Sequence, residues 1–384
     1  MRITLLFFLI FICTNAQNQK LGIVLDAEDL KPIEFVDVFN NYDSTLTNED
    51  GRFFFLSSRD SIIFSKLGYN RLKTTFNQTS DTILLNKKVI ALDGVTVIRT
   101  DSLWQKVKRN VAKNYSLHPY NEKFFLRSTL KLNDSLVRIQ DMQGQLHRKT
   151  LLYSQGLELT KKDYEIELTN MRKVGVATDK NKVYFRFPTF YGLLSNFVRL
   201  NATGPDFKLK ELPFLNEAKT RYEFLFENEH QVTKGHYIIN TNTYAIVECH
   251  LSVTTKNIPY SKDKWLHYRT NKHIVKVIFD FDKTEKKYYI KNAILTQEVE
   301  CTNEEKSFKE VYESRFVMDT YDNFGDFKVK KNISAVKDIF KIKYKYDSNY
   351  WEEQNQLLLT NEMVAFIKRM GTKNKEYKIR SNIK

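Results

Sequence analysis

Three cysteines, six prolines and twelve glycines in 384 residues exclude several architectures at once. A small disulfide-stapled fold needs more cysteine. Beyond Cys13, only Cys249 and Cys301 remain, in the strand-like stretches "AIVECHLSV" and "ILTQEVEC". They form one bridge in an oxidising compartment if their Cα atoms approach within about 7 Å, and are otherwise buried free thiols. Glycine is too scarce for phosphate-cradling loops, and neither a P-loop nor a G-x-G-x-x-G occurs. There is no G-x-S-x-G elbow, no S-x-x-K with supporting lactamase motifs and no catalytic-type cysteine context. None of the seven histidines has a glutamate three residues later, and no H-E-x-x-H exists, which removes the common zinc-hydrolase patterns.

Long apolar runs are also scarce. Ile3 to Ile12 follows Met1-Arg2 and is shorter than the roughly 20 residues of a spanning helix. Thr14-Asn15-Ala16 then offers small residues for cleavage, so residues 1–16 read as a secretory signal with Gln17 opening the mature chain. Ile12, directly before Cys13, is not the small residue of a lipoprotein signal. No later run is long enough for a transmembrane helix. The expectation is an exported protein with no membrane span after cleavage.

Positive charge is abundant. The net charge of +15 comes from scattered lysines without a concentrated patch on a nucleic-acid-binding motif. No nucleic-acid partner is expected; an anionic membrane surface or polysaccharide fits better. Lys341, Lys343 and Lys345 alternate with Ile342, Tyr344 and Tyr346, which reads as a strand with one solvated face.

The 28 phenylalanines and 21 tyrosines sit mostly in alternating, β-branched stretches cut by Asn, Asp, Gly and Thr, so the chain is mainly β. "HYIINTNTYAIVECHLSV" predicts strands over His236–Ile239 and Tyr244–Val253 with a turn at Asn240–Thr243. A second hairpin turns near Asp282–Lys286. Helices are expected in "DSLWQKVKRNVAKNY", with Asp101 as cap and Leu103, Val107 and Val111 as the apolar stripe. A second is expected in "TNEMVAFIKRMG", between a Thr360 or Asn361 cap and Gly371. "YGLLSNFVRL" is a third candidate. A boundary near Arg99–Ser102 separates residues 17–99 from 100–384.

Within the first part, Gly22, Pro32, Thr47, Asp50, Gly51, Gly68 and Tyr69 recur at turns and strand starts, and "STLTNEDGRFFF" sets a polar turn before an aromatic strand. With the closing "LDGVTV", this order resembles the carboxypeptidase-regulatory-like domain of Bacteroidetes, including flavobacterial, envelope proteins. The resemblance covers Leu21 to about Val97 and implies a transthyretin-like seven-stranded β-sandwich with no chemistry of its own. It also implies the periplasm or the periplasmic face of the outer membrane. Residues 100–384 are expected to form a larger antiparallel β-rich domain, an open half-barrel in the manner of lipoprotein carriers, with two or three helices. This region is shorter than the barrel of a TonB-dependent receptor.

Chemistry-bearing clusters are few. His236, Glu248 and His250 face one another across the predicted hairpin, either as metal ligands or as structural histidines. In "VYFRFPTFYGLLSNF", Tyr184, Phe187, Phe190 and Tyr191 form either the mouth of an apolar or sugar site or ordinary core. Trp351 is expected to be buried against the last sheet. Asp-Ser/Thr-apolar triplets begin at Asp60, Asp81, Asp101 and Asp134 and resemble the O-glycosylation sequon of such proteins. No cofactor, catalytic residue or metal ligand is assigned. The function expected is non-catalytic binding in the envelope, with a lipid, a glycan or an outer-membrane protein as partner. The alternatives are a hydrolase of envelope polymers and an accessory of TonB-linked uptake.

Overall fold

The computed structural model describes residues 18–88, 101–152, 160–176, 187–198, 206–214, 218–256, 258–263, 265–352, 357–371 and 379–381. Two compact units emerge. One is Met1–Lys88 together with Glu353–Val364, and the other is Val89–Glu352 with Ala365–Lys384.

In the first unit the alternating stretches become β1 (Asn18–Asp26), β2 (Asp37–Phe39), β3 (Ser44–Leu46), β4 (Arg52–Ser57), β5 (Ser61–Ser65), β6 (Leu72–Thr75) and β7 (Thr82–Leu85). They pair as β4-β1-β7 and β3-β2-β5-β6. Val24, Phe53 and Phe55 of one sheet share a core with Val38, Ile62 and Phe64 of the other, which makes a seven-stranded sandwich.

The polar turn before the aromatic strand has a structural explanation. Thr47, fully buried, donates its Oγ1 proton to the Ile33 carbonyl at 2.7 Å and accepts from the Val36 amide at 2.8 Å. Asn48 Oδ1 accepts from the Asp50 and Arg52 amides, and Gly51 takes φ +72°. The same turn holds a distant segment of its own unit. Asn48 Nδ2 donates to the Leu359 carbonyl at 3.2 Å, and Asp50 accepts from the Asn361 amide at 2.8 Å. The boundary expected near Arg99–Ser102 places residues 353–364 with the C-terminal region, whereas in the structure they cluster with the first unit.

The second unit carries β8 (Tyr120–Leu132), β9 (Ser135–Arg148), β10 (Tyr164–Val176), β11 (Lys208–Pro213), β12 (Lys219–Glu227), β13 (Gln231–Asn240) and β14 (Ile246–Thr255). It continues with β15 (Ser261–Asp263), β16 (Leu266–Asp282), β17 (Lys287–Asn303), β18 (Glu310–Tyr321) and β19 (Ile379–Ser381). The order β11-β12-β13-β14-β16-β17-β18-β8-β9-β10-β19 is one antiparallel sheet, open at both ends among the described residues, with β15 attached to β16. The expected hairpin turns are present. Asn240 Oδ1 accepts from the Asn242 and Thr243 amides, and Asp282 Oδ1 from those of Thr284 and Glu285.

Register gives this sheet two chemically different faces. Tyr222, Tyr237, Cys249, Val277 and Ala293 are successive cross-strand partners, and the row continues through Met318, Leu126, Met142 and Met171. Every member lies in the hydrophobic core. Helix α1 (Asp101–Arg109) sets Trp104 on Tyr237, with ring centroids 5.1 Å apart. Asn110 interrupts the predicted helix by donating its side chain to the Lys106 carbonyl, and α2 (Val111–Asn114) follows. Helix α3 (Phe190–Val198) buries Phe190, Leu193, Leu194 and Phe197 in the same core. Helix α4 (Ser348–Glu352) brings Trp351, buried as expected, to donate its Nε1 proton to Asn170 at 3.1 Å. Helix α5 (Asn361–Gly371) starts at Thr360, whose Oγ1 accepts from the Met363 amide.

Three phenylalanines lie across glycines on neighbouring strands: Phe53 on Gly22, Phe124 on Gly144 and Phe224 on Gly235. The missing Cβ makes room for the ring, and the ring covers the exposed backbone.

One open alternative is decided and one expectation is corrected. Cys249 and Cys301 are free buried thiols, on β14 and β17 with β16 between them. Burial pushes both thiols up to about 12. The Lys341–Tyr346 stretch keeps its alternation, lysines exposed and Ile342 buried, yet pairs with no strand among the described residues; Ile342 is extended at φ −65°, ψ 143°. Alternation reports which side faces water and says nothing about whether a partner strand exists.

Gly144 and Gly192 make a paired test. A Cβ at Gly144 would press on the Glu167 carbonyl and the Phe124 ring, whereas at Gly192 of α3 it meets only Thr189 Oγ1 at 3.4 Å. Gly144→Ala is expected to lower unfolding free energy by about 2 kcal/mol in urea titration, and Gly192→Ala to be neutral or stabilising by up to about 1 kcal/mol.

Candidate functional site

The aromatic segment and the histidine hairpin end up in different settings. Tyr184 lies outside the described residues. Phe187 and Phe190 are buried, and Tyr191 is half-buried. Phe187 packs edge-on to Phe340 at 4.9 Å, Phe190 to Phe124 at 5.7 Å, and Tyr191 lies 6.3 Å from Tyr164. The chain after β18 crosses over α3. Ile333 bridges Ile166, the Asn332 side chain pairs with the Leu168 backbone, and the Tyr191 amide donates to the Ala335 carbonyl. The structure therefore brings Phe187, Phe190 and Tyr191 together as the filling of the core face. Ser61, Thr82 and Ser135, the described hydroxyls of the Asp-Ser/Thr triplets, are exposed first residues of β5, β7 and β9.

The histidines stand on the opposite face. Lys210, Glu223, His236, His250 and Lys276 are successive partners across β11, β12, β13, β14 and β16. The row runs on through Ile294, Val317, Arg127 and Asp141 to Arg172. At that far end it is sealed. Arg127 Nε and Nη2 each donate to Asp141 at 2.9 Å, and Arg172 Nη2 lies 2.6 Å from the same carboxylate. Two guanidiniums against one carboxylate hold Asp141 below the usual carboxylate range despite complete burial.

At the β11–β14 end the row opens into a cleft of about 460 Å³. Lys208, Lys210, Arg221, Lys234, His236 and His250 line it, together with Glu223. Two carboxylates stand nearby, and each is already engaged. Glu223 accepts from Arg221 Nε at 2.7 Å, and Glu248 faces His236 Nε2 at 3.2 Å. Lys208, Lys210, Lys234 and Lys276 form no ion pair among the described residues. Five Lys/Arg cations thus face two engaged acids. The site is electropositive, of ligand-binding size, and open to water.

The His236 and His250 ring centroids are 5.4 Å apart. Glu248 completes the cluster foreseen from sequence, but no group of three or more His, Cys, Asp or Glu able to hold a metal occurs among the described residues. The His250 side chain makes no hydrogen bond to a described residue. Burial pushes it down to about 4, reinforced by His236, Lys276 and Arg221 and opposed by Glu248. It is therefore neutral near pH 7, with one ring nitrogen a donor and the other an acceptor. The lysines were missed from sequence because their only signal is period-2 spacing on separate strands, and register alone makes them neighbours.

No family model matches the chain, and no curated protein matches it. Among solved structures, lipovitellin ("lipid-protein interactions in lipovitellin") aligns over 63% of this chain and 29% of its own, at 10% identity and a TM-score of 0.24. A mutant of the Rh. blastica porin aligns over 53% of this chain and all of its own, at 7% identity and a TM-score of 0.09. At these scores neither likeness bears on fold or function.

A histidine whose folded-state pKa lies below its unfolded value takes up protons on unfolding, so it destabilises the fold as pH falls from about 6.5 towards about 4. His250→Gln should flatten that part of the stability–pH curve. NMR titration should place the His250 midpoint near 4; a midpoint at the unperturbed value would contradict the burial assigned to it.

Proposed function

We propose that the chain is a non-catalytic binding protein of a bacterial cell envelope, exported to the periplasm or the periplasmic face of the outer membrane. Its ligand is an anionic envelope component, held in the basic cleft on the larger sheet. The observation that carries this reading is the cleft: Lys208, Lys210 and Lys234 are uncompensated, while the two nearby carboxylates are engaged with Arg221 and His236. Lysines without acid partners around a concave surface raise the local concentration of anions and retain those that fit. The N-terminal sandwich, on its resemblance to regulatory-like domains, serves as a spacer or interaction module. Its recurring residues Thr47, Asp50, Gly51 and Tyr69 are used in turns and in a half-buried hydrogen bond to Asp26.

Of the partner classes expected from sequence, an acidic glycan or an anionic headgroup matches the cleft. A purely apolar ligand does not, because the apolar face of the sheet is occupied by α1, α3 and the 332–342 segment.

The test is native mass spectrometry of the full chain secreted into a bacterial periplasm, alongside Lys210→Glu/Lys234→Glu. A stoichiometric anionic adduct on the parent and its loss from the variant are expected, with unchanged melting. The bare chain mass in both, or the same adduct on both, would overturn the reading.

A further inference from the structure

We infer that the cleft selects a phosphomonoester, borne on a saccharide or a lipid, and that capture keeps one proton shared between the phosphate and His250. This rests on the reading of the cleft as a ligand site and adds the class of its ligand.

Geometry comes first. The two imidazoles sit side by side on β13 and β14, with Lys276 next to His250 on β16 and Lys210 on β11 beyond the Arg221-paired Glu223 of β12. Lys208 and Lys234 lie one row away on the same face, two residues from Lys210 and His236. Lys208, Lys210 and Lys234 line the same cleft as the two imidazoles, so an anion seated there meets cationic side chains as well as the rings. The cleft is large enough for the group that carries the phosphate as well.

Proton chemistry narrows the class. His236 directs Nε2 to Glu248, whereas His250 keeps both nitrogens free of described partners. The groups facing His250 are His236 from β13, Glu248 from its own strand, Lys276 from β16 and Arg221 from β12, and together with burial they keep it neutral. A neutral imidazole offers one donor and one acceptor. A sulfate ester carries only acceptors, so it leaves the acceptor nitrogen facing oxygen lone pairs. A phosphomonoester titrates with a second pKa of about 6 and can bring a proton to that nitrogen. A bound dianion also offsets the field of Lys276, Arg221 and His236, which favours a proton on His250. Above about pH 6 that proton comes from solvent; below it, the free ligand already carries it.

The experiment is isothermal titration of the full chain with inorganic phosphate, glucose 6-phosphate and glucose 6-sulfate, and with vesicles containing phosphatidic acid. It is run at about pH 5.5, 6.5 and 7.5, in buffers of differing ionisation enthalpy. The parent should bind the phosphate ester with uptake of about one proton near pH 7.5, tightening about tenfold by pH 6.5 and levelling below about pH 6. Glucose 6-sulfate should bind at least about tenfold more weakly, with no proton uptake. His250→Gln should retain phosphate binding and lose the uptake. Tighter binding to the soluble ester assigns the phosphate to a saccharide, and tighter binding to vesicles assigns it to a lipid. Equal affinity for the sulfate and phosphate esters without proton uptake overturns this inference and leaves a general anion cleft. Absence of binding to every probe overturns the cleft reading with it.

Discussion

The larger unit rests on one constraint: an antiparallel sheet eleven strands wide must bury one face, and this chain covers that face with its own segments. The row from Tyr222 to Met171 supplies apolar side chains at every step across nine strands. Left open, such a face would be a large exposed apolar surface. Trp104 of α1 covers it at the β12–β13 end, the phenylalanines and leucines of α3 pack against its centre, and residues 332–342 tie α3 down. The rings on Gly144 and Gly235 serve the same end, adding apolar area where a larger residue would collide with backbone.

Because that face is filled from within, the opposite one carries what the core cannot. Its charges are handled in two ways along a single cross-strand row. At the β8–β10 end, desolvation is met by pairing: Arg127, Asp141 and Arg172 form a sealed network beside Trp351. At the β11–β14 end the lysines form no ion pair among the described residues, and the neutral His250 sits among cations that disfavour its protonation. The first arrangement holds strands together, while the second leaves positive charge that the proposed anionic ligand would offset.

Local features were legible in the sequence, and non-local ones were not. The Asn240 and Asp282 turns, the Thr360 cap and the burial of Trp351 follow from contacts within a few residues or from strong side-chain preference. The mainly β class follows from the alternation. Composition could not tell an exposed aromatic cluster from a buried one, and Phe187 and Phe190 proved to be core. The alternation at Lys341–Tyr346 gave the solvated side correctly but not pairing, which depends on another strand's backbone. The cleft shows the limit most clearly. His236, Glu248 and His250 lie within one hairpin and were visible, whereas Lys210 and Lys276 join them only through the register of five strands. The hold of Asn48 and Asp50 on Leu359 and Asn361 spans over three hundred residues and has no sequence signature.

The central claim is that recognition belongs to the charged face while the filled face stays closed. Hydrogen exchange of the full chain, free and saturated with glucose 6-phosphate, tests it most directly because it reports both faces in one measurement. The account predicts added protection in β11 to β14 and in β16 near Lys276, with exchange in Phe190–Val198 and in residues 332–342 unchanged. Opening or protection centred on α3, with β11 to β14 unaffected, would contradict it.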